Sequence, residues 1–251
     1  MSADDPMPLV AHLRELRDRF RNAIIAVFVA FLGLFPFANQ LYTYVSEPLR
    51  TLLPEGSSMI ATEVTSPFLT PFKLSLVLAV FVAMPVILSQ VWGFIAPGLY
   101  KAEKRIAVPL LASSVVLFYA GVAFAYYVVF PLLFGFFTTV GPGDVSVMTD
   151  INRYLDFVLK LFFAFGLAFE VPVAAVILIL TGVVSADQLA NNRAYVIVGC
   201  FVMGMLLTPP DVISQTLLAL PMWLLFEVGV VLARFVNKSQ ESEPESSGAS
   251  D

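Results

Sequence analysis

Glu15, Glu103 and Glu170 are the residues whose type and setting could do chemistry in this chain. Glu170 lies near the middle of the segment LFFAFGLAFEVPVAAVILIL, Leu161 to Leu180. That run is about 20 residues long, which at ~1.5 Å per residue crosses a bilayer core. A bare charge there costs about 2.5–3.5 kcal/mol on insertion scales, so this carboxylate needs a partner, a proton or water. It is either a hydrogen-bonded or protonated group that holds helices together, or part of a polar pocket or pathway inside the membrane. Pro172, just beyond it, removes a backbone donor and frees a carbonyl one turn earlier, which gathers polar character at the same depth.

Glu15 precedes Arg19 by four residues, the spacing of an ion pair on a helix surface. Glu103 sits in the loop PGLYKAEKR beside Lys101, Lys104 and Arg105, where a solvated loop charge is the plain alternative. Brought together in space, two such carboxylates near a membrane surface would grip guanidinium groups, because arginine stays charged and bonds carboxylate bidentately. The sequence does not show that they are adjacent. A second polar set surrounds the turn TPPD: Thr208, Asp211 and Gln215, with Met205 one turn back. Asp211 is suited to cap the helix that follows and Thr208 to satisfy a neighbouring carbonyl. The alternative is a polar docking edge, since an amide such as Gln215 seeks a hydrogen-bond partner on another helix in lipid. Glu227 carries no assignment.

The elements that must position these groups are built for lipid. Hydrophobic residues make up 59% of the 251 residues and charged residues 13%, with a mean hydropathy of +0.86. A soluble domain carries about 25% charged residues, so no water-facing surface can be built from this composition. The net charge of −5 comes in part from the tail SQESEPESSGASD. No basic face exists beyond clusters flanking apolar runs, which argues against nucleic acid as a partner. One cysteine, Cys200, and one histidine, His12, offer neither an internal disulfide nor a metal site. GxxxxGK[ST], HExxH and GxSxG motifs are absent, so no cofactor and no hydrolytic chemistry are expected, and ATP-driven work would fall to another subunit. No cleavable signal peptide is expected, because the start is acidic and the first apolar run is long enough to span.

Residues 1–8 read as a polar lead. Leu9, Leu13, Leu16 and Phe20 share one stripe of an otherwise charged segment, which predicts a short helix lying on the membrane surface. Six apolar segments follow, at about 22–45, 74–96, 106–137, 154–180, 194–208 and 212–233, the last two short. The second is expected to bend or break at Pro85 and the third to end by Pro131 and the next few residues. An even number of spans puts both termini on one side. Arg14, Arg17, Arg19, Arg21, Lys101, Lys104, Arg105, Arg193, Arg234 and Lys238 fall on that side, against Arg50, Lys73, Arg153 and Lys160 opposite. The positive-inside rule therefore makes both termini cytoplasmic. The expectation is an all-α integral membrane protein, with a six-span domain at 9–236 and an acidic, disordered tail at 237–251.

HLRELRDR before the first span, SPFLTPFKL before the second and VWGFIAPGLYKAEKR after it carry a resemblance, as do FAFGLAFEVPV in the fourth and LLTPPDVISQ between the last two. Together, in unbroken order from about residue 9 to 236, they resemble the TatC family, the six-span subunit of the twin-arginine (Sec-independent) protein translocase. The resemblance implies a concave, bowl-like helix bundle without enzyme activity. It implies a receptor for twin-arginine signal peptides on folded cargo, with TatB-like and TatA-like single-span proteins and other copies of itself as partners and protonmotive force as the drive. By the same resemblance Glu15, Arg17, Phe94 and Glu103 would bind the signal peptide, and Glu170 would line the concave face. Met205, Thr208 and Gln215 would meet partner helices, and Pro48, Phe68 and Asp211 would belong to a periplasmic cap. The loop SADQLANNR, with one basic residue, and the acidic tail depart from the expected pattern without touching a recognition motif. The lack of a transit peptide points to a bacterial inner membrane. A proton-coupled small-solute transporter using Glu170 is the alternative, although a carrier would more often show clear inverted repeats and a midplane site of several polar residues.

Overall fold

A computed structural model describes residues 9–50, 59–95, 104–140, 149–208 and 212–241. Helix is the only regular structure among them, apart from one isolated parallel bridge between Ile60 and Asp150. Helix α1, Leu9–Leu34, passes through a tightened turn at Phe35–Phe37 into α2, Ala38–Arg50. Pro36 causes the tightening, since its ring nitrogen cannot donate to the preceding turn. The expected surface helix is not a separate element. From Leu9 to Leu32 the sequence holds no proline or glycine, so nothing stops the first turns from running straight into the span.

Helix α3, Ser66–Val82, and α4, Met84–Ile95, form one broken span bent by 48°. The break falls at Pro85, as the sequence requires, because that ring displaces the turn before it. Helix α5, Lys104–Phe124, continues through a π-helical segment at Ala125–Val129 into α6, Phe130–Val140. The apolar span ends at Phe136, close to the expected bound of 137, while the helix itself runs on to Val140, so Pro131 does not break it. The Phe130 amide bonds to the Ala125 carbonyl, one residue beyond the α-helical partner. This local widening seats the proline ring while the helix goes on.

Helix α7, Ile151–Ala168, and α8, Val171–Leu180, make one apolar stretch interrupted at Phe169 and Glu170. A short α9, Ala186–Asn191, starts from a capping box in which Ser185 and Gln188 satisfy each other's backbone amides. Helix α10, Arg193–Leu207, and α11, Val212–Glu241, complete the described chain. Of these two, α10 is the short one. At 15 residues it is about 22 Å long against a hydrocarbon core of ~30 Å. Helix α11 runs for 30 residues, because the polar residues past Ala233 are no helix breakers; residues 237–241 of the expected tail are thus helical.

Among the described residues, Leu13–Glu47, Val108–Phe136, Ile151–Leu180 and Val212–Leu232 are long and apolar enough to cross a membrane, and the bent α3–α4 pair makes a fifth candidate. The chain divides into two compact units, Met1–Tyr44 with Phe68–Val115, and Val45–Pro67 with Val116–Asp251. In the first, α1 lies against α4, and the rings of Phe31 and Phe72 meet edge to face at 5.3 Å. None of the most apolar stretch of its first span is buried, whereas half of the corresponding stretch of α7–α8 in the second unit is. Lipid tails are as apolar as leucine, so an outward apolar surface costs nothing here, and helix packing rests on close contact. The second unit achieves that contact with fully buried Phe118, Phe130 and Phe165, and with Phe130 stacked on Phe162 at 5.2 Å. A side chain at Gly121 would come within 2.4 Å of the Phe165 carbonyl, and one at Gly166 within 2.6 Å of the Phe118 ring; small residues there let α5 and α7 approach.

Candidate functional site

The Glu15 side chain lies on α1, one turn before Arg19, with about a quarter of each side chain exposed. Arg19 donates from Nε to Glu15 Oε1 at 2.9 Å, and Nη2 donates to the same oxygen. Nη2 also donates to the Gly93 carbonyl on α4 at 2.7 Å. The pair expected as an exposed surface contact is therefore half-buried and tied to a second helix. Gly93 is what permits this. A Cβ there would stand 2.0 Å from Arg19 Nη1 and 2.8 Å from Cζ. A carboxylate and a carbonyl together form a cradle that accepts guanidinium donors from two directions.

Below this cradle opens an apolar groove of about 530 Å³ between α1 and α4. Leu16, Phe20, Ile24 and Phe28, spaced by four along α1, form one wall, and Ile87, Gln90, Val91 and Phe94 line α4 opposite. Spacing by four keeps side chains on one helical face, so the stripe read as a surface helix becomes the wall of a groove. Phe94, expected from the resemblance, thus lines the same groove as Arg19, the partner of Glu15. Arg17 does not. It points to Asp18, donating from Nε at 3.2 Å and Nη2 at 3.1 Å, and stays 71% exposed. Glu103 lies outside the described residues.

Glu170 occupies the turn between α7 and α8, half-buried, with Oε1 sealed from solvent. Its amide bonds to the Leu167 carbonyl at 3.0 Å and its carbonyl accepts from Ala174 at 2.8 Å. Pro172 has no backbone donor, and the helix breaks at Phe169 and Glu170, where the sequence predicts one span with polar character at this depth. Around TPPD, Thr208 is buried, and its amide and hydroxyl each donate to the Gly204 carbonyl at 3.0 Å. Gly204 itself lies against the backbone of Gln215, where an added Cβ would sit 3.3 Å from that carbonyl. Thr208 thus closes on its own helix, Gln215 is half-buried and Met205 faces outward with 49% exposure. Asp211 lies outside the described residues. Pro48 falls within α2, and Phe68 on α3 is 69% exposed.

Three groups escaped the sequence. Arg19 was visible only as the partner of Glu15, and its contact with Gly93 spans 74 residues. Asp150 caps α7 by accepting from the amides of Asn152 at 2.9 Å and Arg153 at 3.0 Å. Its second oxygen takes the amide of Thr62 at 3.0 Å and the Thr62 hydroxyl at 2.6 Å, 88 residues away. The Thr62 hydroxyl above all, followed by the backbone amides, holds the Asp150 carboxyl at a pKa of about 2, below its ordinary 3.8. Glu227 is the third. It takes both prongs of Arg193, Nε at 2.7 Å and Nη2 at 3.0 Å, joining α10 to α11. An N-cap signal in TDIN could have revealed the first half of the Asp150 cluster; nothing local announces Thr62.

The family model described as Sec-independent protein translocase protein (TatC) matches residues 11–221. The Sec-independent protein translocase protein TatC of Azotobacter chroococcum mcd 1 is 64% identical over 239 residues, covering 95% of this chain and 94% of that one. The TatC protein of Escherichia coli (strain K12) is 58% identical over 244 residues, with 97% and 95% covered. A crystal structure of a twin arginine translocase receptor, TatC, matches with a TM-score of 0.81 at 39% identity, over 90% of this chain and 99% of that one.

Proposed function

The chain belongs to the TatC family of Sec-independent protein translocase proteins, multi-pass membrane components of the twin-arginine system, and from this we propose that it is the receptor core that binds twin-arginine signal peptides. The observation that carries the proposal is the half-buried cradle of Glu15 and the Gly93 carbonyl at the rim of an apolar groove. Such a site suits a peptide that presents guanidinium groups beside an apolar stretch: the charge meets a carboxylate, and the apolar part meets Phe20, Phe28 and Phe94. Glu15, Arg17, Phe94 and Glu103 form the signal-peptide site in this assignment, with Glu170 as a polar point deeper in the membrane. Met205, the outward member of the TPPD set, together with Thr208 and Gln215, receives the helices of TatB-like and TatA-like proteins. Pro48, Phe68 and Asp211 belong to a periplasmic cap.

The protein sits in a bacterial inner membrane with residues 9–236 as a six-span domain, both termini cytoplasmic, assembled with other copies of itself and exporting folded cargo on protonmotive force. Binding of a labelled twin-arginine peptide to the purified full chain in nanodiscs tests the assignment. Glu15→Gln and Glu103→Gln are each expected to weaken binding at least about tenfold, the loss of a charge-assisted pair. Unchanged affinity in both variants rejects the recognition site.

A further inference from the structure

We propose that Arg19 is an internal stand-in for the ligand: its guanidinium fills the Glu15–Gly93 cradle in the empty receptor and must leave before a peptide arginine enters. This rests on Glu15 being the arginine-binding carboxylate. The occupancy is direct. Arg19 gives two donors to Glu15 Oε1 and one to the Gly93 carbonyl, which are the groups an incoming guanidinium would use. Glu15, Arg19 and Gly93 are each only part-exposed, so the carboxylate cannot stand bare without a desolvation cost, and a tethered cation removes that cost while the site is empty. Arg17 and Arg21 do not share this duty, since both turn to Asp18. Among the neighbouring arginines described, Arg19 alone reaches the second helix.

The consequence is quantitative. A competing internal group lowers the affinity of every ligand by the same factor, the fraction of receptor whose cradle is open. Removing Arg19 therefore tightens binding of twin-arginine and twin-lysine peptides alike and leaves their ratio unchanged. A residue that merely orients Glu15 behaves in the opposite way, because its removal loosens binding.

The full chain in nanodiscs, titrated with labelled twin-arginine and twin-lysine peptides, separates the two. Arg19→Gln is expected to tighten both about fivefold, the effect of losing one partly exposed charged pair with its carbonyl bond. Gly93→Ala is expected to act in the opposite direction and weaken the twin-arginine peptide, since the new Cβ would fall 2.0 Å from the position of Nη1 and bar any guanidinium, tethered or incoming, from the cradle. If folded Arg19→Gln binds the twin-arginine peptide no more tightly than the parent, or folded Gly93→Ala binds it more tightly, the stand-in role is overturned. Glu15→Gln keeps this failure distinct from that of the assignment beneath it. Intact binding in that variant removes Glu15 from the recognition site and the stand-in with it, whereas lost binding together with no tightening in Arg19→Gln removes only the stand-in.

Discussion

Glu15 and Asp150 are both carboxylates beside a helix that enters the membrane, and the chain satisfies them by opposite means. Asp150 accepts from backbone amides of Thr62, Asn152 and Arg153 and from one short hydroxyl, all fixed by the helix start and by the Ile60–Thr149 and Ile151–Ile60 backbone bonds around it. Glu15 accepts from the end of one long side chain. A backbone amide cannot leave without unfolding a turn, whereas a guanidinium leaves by rotating a few side-chain torsions. The first arrangement is a clasp; the second can exchange partners. Glu170 is intermediate, held in the backbone of the turn between α7 and α8 with its carboxylate oxygen Oε1 sealed from solvent.

The comparison breaks most visibly at Asp150. Asp150→Ala removes the side-chain cap of α7 and both bonds to Thr62 in one step, so the thermal midpoint of the purified protein should fall by several degrees. Peptide affinity of the folded fraction should not change. A loss of affinity with an unchanged melting curve would reverse the roles given to the two carboxylates. A smaller effect appears on acidification. The Asp150 pKa in the fold, about 2, lies below its ordinary 3.8, so its stabilisation is complete above the ordinary value and is lost as pH falls through the folded one. In Asp150→Asn the part of the stability change between about pH 4 and pH 2 should disappear, which thermal melts of both proteins across that window would show. The smallest effect is expected at Glu170. Glu170→Gln keeps shape and hydrogen bonding but cannot ionise, and export of a twin-arginine reporter should persist, which would exclude an obligatory proton-carrying role; abolished export would show that ionisation of this group is required.

Much of the fold was legible because membrane helices are written locally. Apolar runs and the bend at Pro85 each depend on residues within one or two turns, whereas the loop expected at SADQLANNR holds the short helix α9. Where local rules failed, a longer context intervened: Pro131 passes through a π-segment, and the stripe of Leu16 and Phe20 became a groove wall once α4 lay beside it. The candidate site was legible only in part. Glu15 was singled out as a carboxylate near the membrane surface and Phe94 through motif resemblance, but neither the motif nor the four-residue spacing to Arg19 could say that this arginine bonds the carbonyl of Gly93.

By itself, then, the sequence determined that this is an all-helical membrane protein, where its helices run and bend, and to which family it belongs. Each of these follows from composition, short-range backbone sterics or ordered motifs. Only the tertiary structure decided which polar groups face each other: Arg19 with Gly93, Thr62 with Asp150 and Arg193 with Glu227. Such pairings join segments 34 to 88 residues apart, and they depend on how helices dock, which no local periodicity records.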